Sequence, residues 1–323
     1  MKIEFENDFE LKCFFDNIED FYKYIQYSYY DDPENNTNFL GDCIFRGVGS
    51  SSFTLTPNIL RNIPSNFLFS DQLLKETSYL HLFYKYCNEN GLHIPCNINI
   101  SDIYFTDLTD ANRWISSIDN VWPSKEILDL MALAQHYHLP TRFLDWSQDV
   151  YISMYFATHS ALNESKKENN SGYFSLWAFN IKKFQIINNS LKKNKIPMEV
   201  FIPAYDKNQN TKAQKGVLTT WILNLRNIYQ LGKFSDPYPE EDRDTEKFLL
   251  YFLEGISPRE HVGKILFKFT FPYTEIFKSL KILEDSNYYT SRIYPSYDGV
   301  VQQILEKPIE VISHETNTTF QLT

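Results

Sequence analysis

Residues 134–147 read AQHYHLPTRFLDWS. Ahead of this stretch, Ile127, Leu128, Met131 and Ala134 recur at helical spacing, and the Leu139-Pro140 step ends that helix because proline disfavours helix in the residue before it. Residues 141–146 are then too few for a helix and read as a buried strand. Ser147 or Asp149 is placed to cap a second helix, whose face carries Val150, Met154 and Ala157. The stretch is therefore a helix–strand–helix unit with polar chemistry at its joints. On the strand, Thr141, Phe143 and Asp145 face one way and Arg142, Leu144 and Trp146 the other. Strand ends and the loops after them are where sites are usually built.

Working outward, residues 17–27 mix acids with aromatics in a helical rhythm, and residues 42–47 form a short apolar strand ending in Arg-Gly. Ser70 is expected to cap a helix that runs to about Asn88, with Gly91 just beyond it, and Ser124 to cap the helix entering the opening stretch. Residues 164–170 read as a polar loop, and residues 173–180, 216–222 and 263–271 as strands. Residues 240–246 read as an acidic turn or helix start, and residues 272–283 and 297–306 as helices. Strands and helices mix without regular alternation, which predicts an α+β fold with a mixed, mainly antiparallel central sheet and flanking helices.

The 323 residues, 43% of them hydrophobic, suffice for a sizeable core. Only 10 glycines are present, and neither a Walker nor a G-x-G-x-x-G pattern occurs, which argues against a glycine-rich phosphate loop. The net charge of −10 is opposite to that of a general nucleic-acid or anionic-membrane binder. The lysines at 182, 183, 192, 193 and 195 read as a solvated run. The acidic opening residues lack an apolar signal core and no membrane-length apolar run occurs, so a cytoplasmic chain with reduced thiols is expected. His81, Cys87, His93 and Cys96 fit no common zinc spacing, and no metal is expected.

Several side chains are candidates for chemistry. Asp145 needs a donor, and Arg46 or Arg142 can meet it as a bidentate fork. That pairing is either an internal bridge pinning two segments or part of a site. His136 and His138 would face apart on a helix, which argues against a shared metal; each is either a hydrogen-bonding group or a structural histidine, and Gln135 and Tyr137 share that ambiguity.

The sequence CIFRG, followed after two residues by SSSFTLTPNILR, resembles the start of the bacterial FRG domain, named for its Phe-Arg-Gly motif. Residues 130–157 resemble that family's second block closely, with His138 standing where the family form has glycine and Ser147 where it has threonine. AQKGVLTTW at 213–221 and RIYPSYDGVVQQI at 292–304 are similar to two later blocks. The resemblance implies an FRG-like domain over 41–306, with an N-terminal helical segment at 1–40 and a tail or edge strand at 307–323. Family members occur in bacteria and phages, often near defence or toxin genes, so a toxin or antiphage role is implied.

More remotely, the order of blocks resembles the ADP-ribosyltransferase core, which implies a split sheet and NAD as substrate. On that mapping Arg46, Asp145 and Asp298 are the candidate catalytic residues. Phe45, Arg46, Gly47, His136, Tyr137, Thr141, Arg142, Trp146, Ser147 and Gln214 are the candidates to hold NAD. An arginine clamps a pyrophosphate, hydroxyls and amides hold ribose, aromatic faces hold nicotinamide, and a carboxylate stabilises an oxocarbenium-like state. Gly216 stands where that class carries its catalytic glutamate. The implied partner is a macromolecular target, with no membrane; the alternative is a non-catalytic ligand-sensing or protein-interaction module.

Overall fold

The structure, a computed structural model, describes residues 1–29, 40–95, 121–169, 171–191, 195–203, 209–239, 241–254 and 263–306. In chain order it runs through β1 (Lys2–Glu6), β2 (Glu10–Phe14), α1 (Ile18–Tyr29), β3 (Cys43–Val48), α2 (Phe69–Glu89), β4 (Val121–Trp122), α3 (Leu128–His136), β5 (Leu144–Ser147) and α4 (Val150–Lys167). It continues through β6 (Tyr173–Asn180), α5 (Ile181–Ser190), β7 (Met198–Phe201), α6 (Gln209–Ala213), β8 (Gly216–Trp221), β9 (Leu223–Asn224) and α7 (Leu225–Gln230). The last elements are α8 (Thr245–Glu254), β10 (Leu266–Pro272), α9 (Ile276–Asp285), α10 (Thr290–Ile293) and α11 (Tyr297–Glu306).

The expected α+β class holds: eight strands form one sheet in the order β1-β2-β10-β6-β3-β5-β8-β7, antiparallel at every step except β2 beside β10. The central strand β6 is buried from Phe174 to Asn180, and its alternate residues serve two cores. Phe174, Leu176 and Ala178 pack with α1, α4 and α9, whereas Trp177 and Phe179 pack with α5 and α8. A strand covered on both faces has no polar side to show, which is why its sequence is almost wholly apolar. A third core joins α2 and α3 to Phe143 and Leu218.

The sheet narrows at one place. β3 pairs with β6 over six residues, but with β5 only at Phe45 opposite Ser147. Helix α4 packs on β3, whereas α3 packs with Phe143, just ahead of β5, and with Leu218 of β8.

Three local expectations are corrected. Helix α2 begins at Phe69, so Ser70 lies inside its first turn and no side chain caps it. The polar residues 164–167 extend α4, with Lys167 bonding Glu164 one turn earlier. The N-terminal segment is helical at α1, but β1 and β2 precede it and extend the sheet, with β2 lying parallel to β10. The solvated lysine run starts on α5, a helix capped by Asn180 with Lys182 exposed. The tail at 307–323 lies outside the described residues, as does Cys96. No described helix is long and apolar enough to cross a membrane.

Candidate functional site

The Phe-Arg-Gly triplet of β3 has three separate jobs. Phe45 is fully buried in the core beneath α4. Gly47 lets α4 lie directly on the strand: a Cβ there would fall against the Ser153 carbonyl and 2.6 Å from the Ala157 amide nitrogen. Arg46, between them, crosses the pinch, and its Nη1 donates to the Asp145 carbonyl of β5 at 2.7 Å. The guanidinium thereby satisfies a strand-edge carbonyl where the two strands diverge. Its Nη1 lies 3.9 Å from Asp145 Oδ2, and its buried Nε has no partner among the described residues. Burial pulls the guanidinium below its ordinary pKa, and Asp145 opposes that shift.

Asp145 is the exposed member of an otherwise buried strand, with 67% of its side chain open. Its Oδ1 accepts from Gln135 Nε2 at 2.6 Å, and Gln135 Oε1 accepts from the Thr141 hydroxyl. Ser147 is spent locally: its hydroxyl donates to the Gln214 carbonyl at 2.7 Å and accepts from the Asp149 amide at 3.0 Å. Asp149 caps α4 through its Oδ1, and its Oδ2 takes Lys215 at 2.8 Å and Tyr288 at 3.0 Å.

A cleft of about 1340 Å³ opens beside the pinch. Arg46, Asp145 and Gln214, far apart in the chain, all line it, as do Phe45, Gly47, His136, Tyr137, Trp146, Ser147 and Asp298. Thr141 and Arg142 are not among its lining residues. Thr141 is buried behind Gln135, and Arg142 turns into the interior. There the Arg142 guanidinium grips Glu76, with Nη2 to Oε1 at 2.7 Å. Glu76 also accepts from Trp122 Nε1 at 2.8 Å and Gln72 Nε2 at 2.7 Å. The sequence offered two arginines for Asp145; the fold gives it Arg46 and gives Arg142 to α2.

The aromatic candidates divide. Trp146 is nearly all core, with its Nε1 donating to Thr219 at 2.8 Å, whereas Tyr137 stands 67% exposed. His136 sits edge-on to Tyr137, and burial together with neighbouring His138 lowers its pKa. Sequence reading missed the wall supplied by Lys125, Glu126, Asp129 and Leu133. Their spacing with His136 marks one helical face, and that periodicity was the available signal. Four carboxylates, at 126, 129, 145 and 298, line the cleft against the two fixed cations Arg46 and Lys125.

Fold and cleft together define an α+β protein with a ligand-sized cleft of mixed lining beside the central sheet. Residues 41–166 match the family model of the FRG domain, and the chain carries an FRG domain over that span. The match takes in β3, α3, β5 and α4, hence Arg46, Gln135 and Asp145; Gln214 and Asp298 lie beyond it. No curated protein and no solved structure matches the chain.

Proposed function

We propose that the cleft binds NAD and that the chain is an ADP-ribosyltransferase-like effector acting on a macromolecular target, with toxin or phage defence as the setting its FRG domain suggests. The observation that carries this reading is Arg46 and exposed Asp145 meeting at the mouth of one cleft. The volume exceeds the roughly 300–1,000 Å³ of ordinary small-molecule sites, which suits a dinucleotide. Arg46, whose buried Nε has no partner among the described residues, would clamp the diphosphate. In the transfer, the bond between the nicotinamide nitrogen and ribose C1′ breaks and its electron pair leaves with nicotinamide. A target nucleophile then bonds C1′ and gives up its proton. Asp145 faces the cationic ribose, and the surplus of carboxylates in the cleft favours that charge. Asp298, in the first turn of α11, supplies a second acid where Gly216 offers none.

The test is incubation with labelled NAD and bacterial lysate. Wild type is expected to release nicotinamide and label a macromolecule, and Arg46→Ala and Asp145→Asn to slow release by about 100-fold or more. No release by wild type overturns the enzymatic reading. A second reading, a non-catalytic ligand sensor, is favoured by Ser147 being consumed in internal bonds and by Gly216. It predicts NAD binding by calorimetry without turnover.

A further inference from the structure

We propose that the outer face of α11 is the docking surface for the macromolecular target, and that this target is a protein presenting an apolar patch bordered by lysine or arginine. The inference rests on the reading of the cleft as a site that acts on such a target, and it names the partner's chemistry. Helix α11 sits on the protein the wrong way round. Its Tyr297, Val300, Val301, Ile304 and Leu305 recur at helical spacing and form one stripe. All five are exposed, Tyr297 at 94% and Leu305 at 78%. The opposite face, which an amphipathic helix ordinarily gives to water, is turned inward. Gly299 is buried, and a Cβ there would fall against the Tyr294 carbonyl. Gln303 Oε1 accepts from the Ser291 amide at 3.1 Å. Glu306 accepts from the Thr290 hydroxyl and, at 2.9 Å, from Gln302 Nε2.

A contiguous apolar stripe rimmed by polar residues marks an interaction surface. Its border says what fits. Asp298 adjoins the stripe on the helix and lines the cleft together with Gln302, so stripe and cleft share an edge. Beyond that edge Glu126, Asp129 and Asp145 add three carboxylates, against Arg46 and Lys125. A protein whose apolar patch covers the stripe brings its neighbouring side chains to the cleft mouth, where this surplus of acid favours a cation. The same charges repel a nucleic-acid backbone. A helix that lies on an anionic membrane is rich in lysine and arginine, and residues 297–306 contain neither. A second copy of the chain would bring the same acidic border, and a further net charge of −10, to the line of contact.

The experiment measures binding to the full chain by calorimetry with two synthetic amphipathic peptides of equal length, one of leucine and lysine and one of leucine and glutamate. The leucine–lysine peptide is expected to bind, and the leucine–glutamate peptide to bind at least about tenfold more weakly. Val301→Asp and Leu305→Asp should each weaken the first peptide by about tenfold or more. Asp298→Asn should narrow the difference between the two peptides. Phe277→Asp, at an exposed apolar side chain of α9, should change nothing. No binding, equal binding of both peptides, or binding indifferent to the stripe variants overturns the proposal. A wild-type dimer that Val301→Asp dissociates in sedimentation makes a second copy the occupant and overturns it too. So does attachment to phosphatidylserine vesicles that the same substitution abolishes. If one stripe variant unfolds, the other and Ile304→Asp carry the comparison. The measurement needs no NAD. Docking without nicotinamide release therefore removes the transferase reading alone, and release without docking removes the docking face alone.

Discussion

At the scale of single residues, backbone conformation explains a substitution that composition could not. His138 has φ of 65°, and its amide bonds Gln135 while the next amide bonds Ala134. This is the pattern that closes a helix with a left-handed residue, a place that favours glycine. The resemblance implies glycine there, and the histidine ring stands exposed. His138→Gly is expected to stabilise the protein by about 0.5–1 kcal/mol in urea unfolding, the left-handed strain relieved less the added freedom of the unfolded chain. No gain would mean that the ring makes a compensating contact. Arg142 carries the reverse lesson: charged and close to Asp145 in sequence, it is buried against Glu76. Glu76→Leu strands that guanidinium and should lower stability by about 3–5 kcal/mol, read as a lower unfolding midpoint. A loss under 1 kcal/mol would show that the pair is not desolvated as described.

At the scale of elements, the site depends on how closely α4 lies on β3. Gly47 and Gly49 both face that helix, at Ser153, Ala157 and Ser160. At Gly47 backbone lies against backbone, so no side chain can rotate aside. Gly47→Ala is expected to cost about 2–3 kcal/mol and to loosen the cleft wall formed by Ser153 and Phe156. Calorimetric unfolding checks the first expectation; an unchanged melting temperature would refute the close approach. The helix boundaries that sequence missed have a common cause. Propensity favours continuing α4 through Lys166 and Lys167, whose place near the helix end suits its dipole, although the same residues read as loop by polarity.

At the scale of the whole molecule, charge is buried far from the cleft. Glu10 of β2 is almost fully buried, with Lys12 at 3.4 Å and Glu246 of α8 nearby. Burial first, and Glu246 second, push its carboxyl from the usual range up to about 7, with Lys12 opposing. A carboxyl raised in the folded state binds its proton more tightly there than when unfolded. Its stabilising contribution is present below about 4.5 and is lost as pH rises through about 7. Stability should therefore decline across that window, and Glu10→Gln should flatten the decline and stabilise the protein at pH 8 by about 1 kcal/mol. Denaturant midpoints taken from pH 4.5 to 8 decide it: parallel curves for the two proteins would show that Glu10 is not the group responsible.

What the sequence alone determined was local and periodic. Helical spacing around Met131 and Met154, the apolar run of β6, and a cap at Ser147 or Asp149 follow from side-chain chemistry within a few residues, and they brought the α+β class with them. The remote resemblance to the ADP-ribosyltransferase core mapped Arg46 and Asp145 to one candidate site, and both residues line the cleft. Only the tertiary structure decided which arginine met which acid, that Thr141 stands behind Gln135 rather than in the cleft, and that the first two strands join the main sheet. The two arginine partnerships span 66 and 99 residues of chain and the first strands pair with the late strand β10, whereas Thr141 and Gln135 are six residues apart. Burial and partner choice over such separations follow from packing the whole core, and no local pattern encodes them.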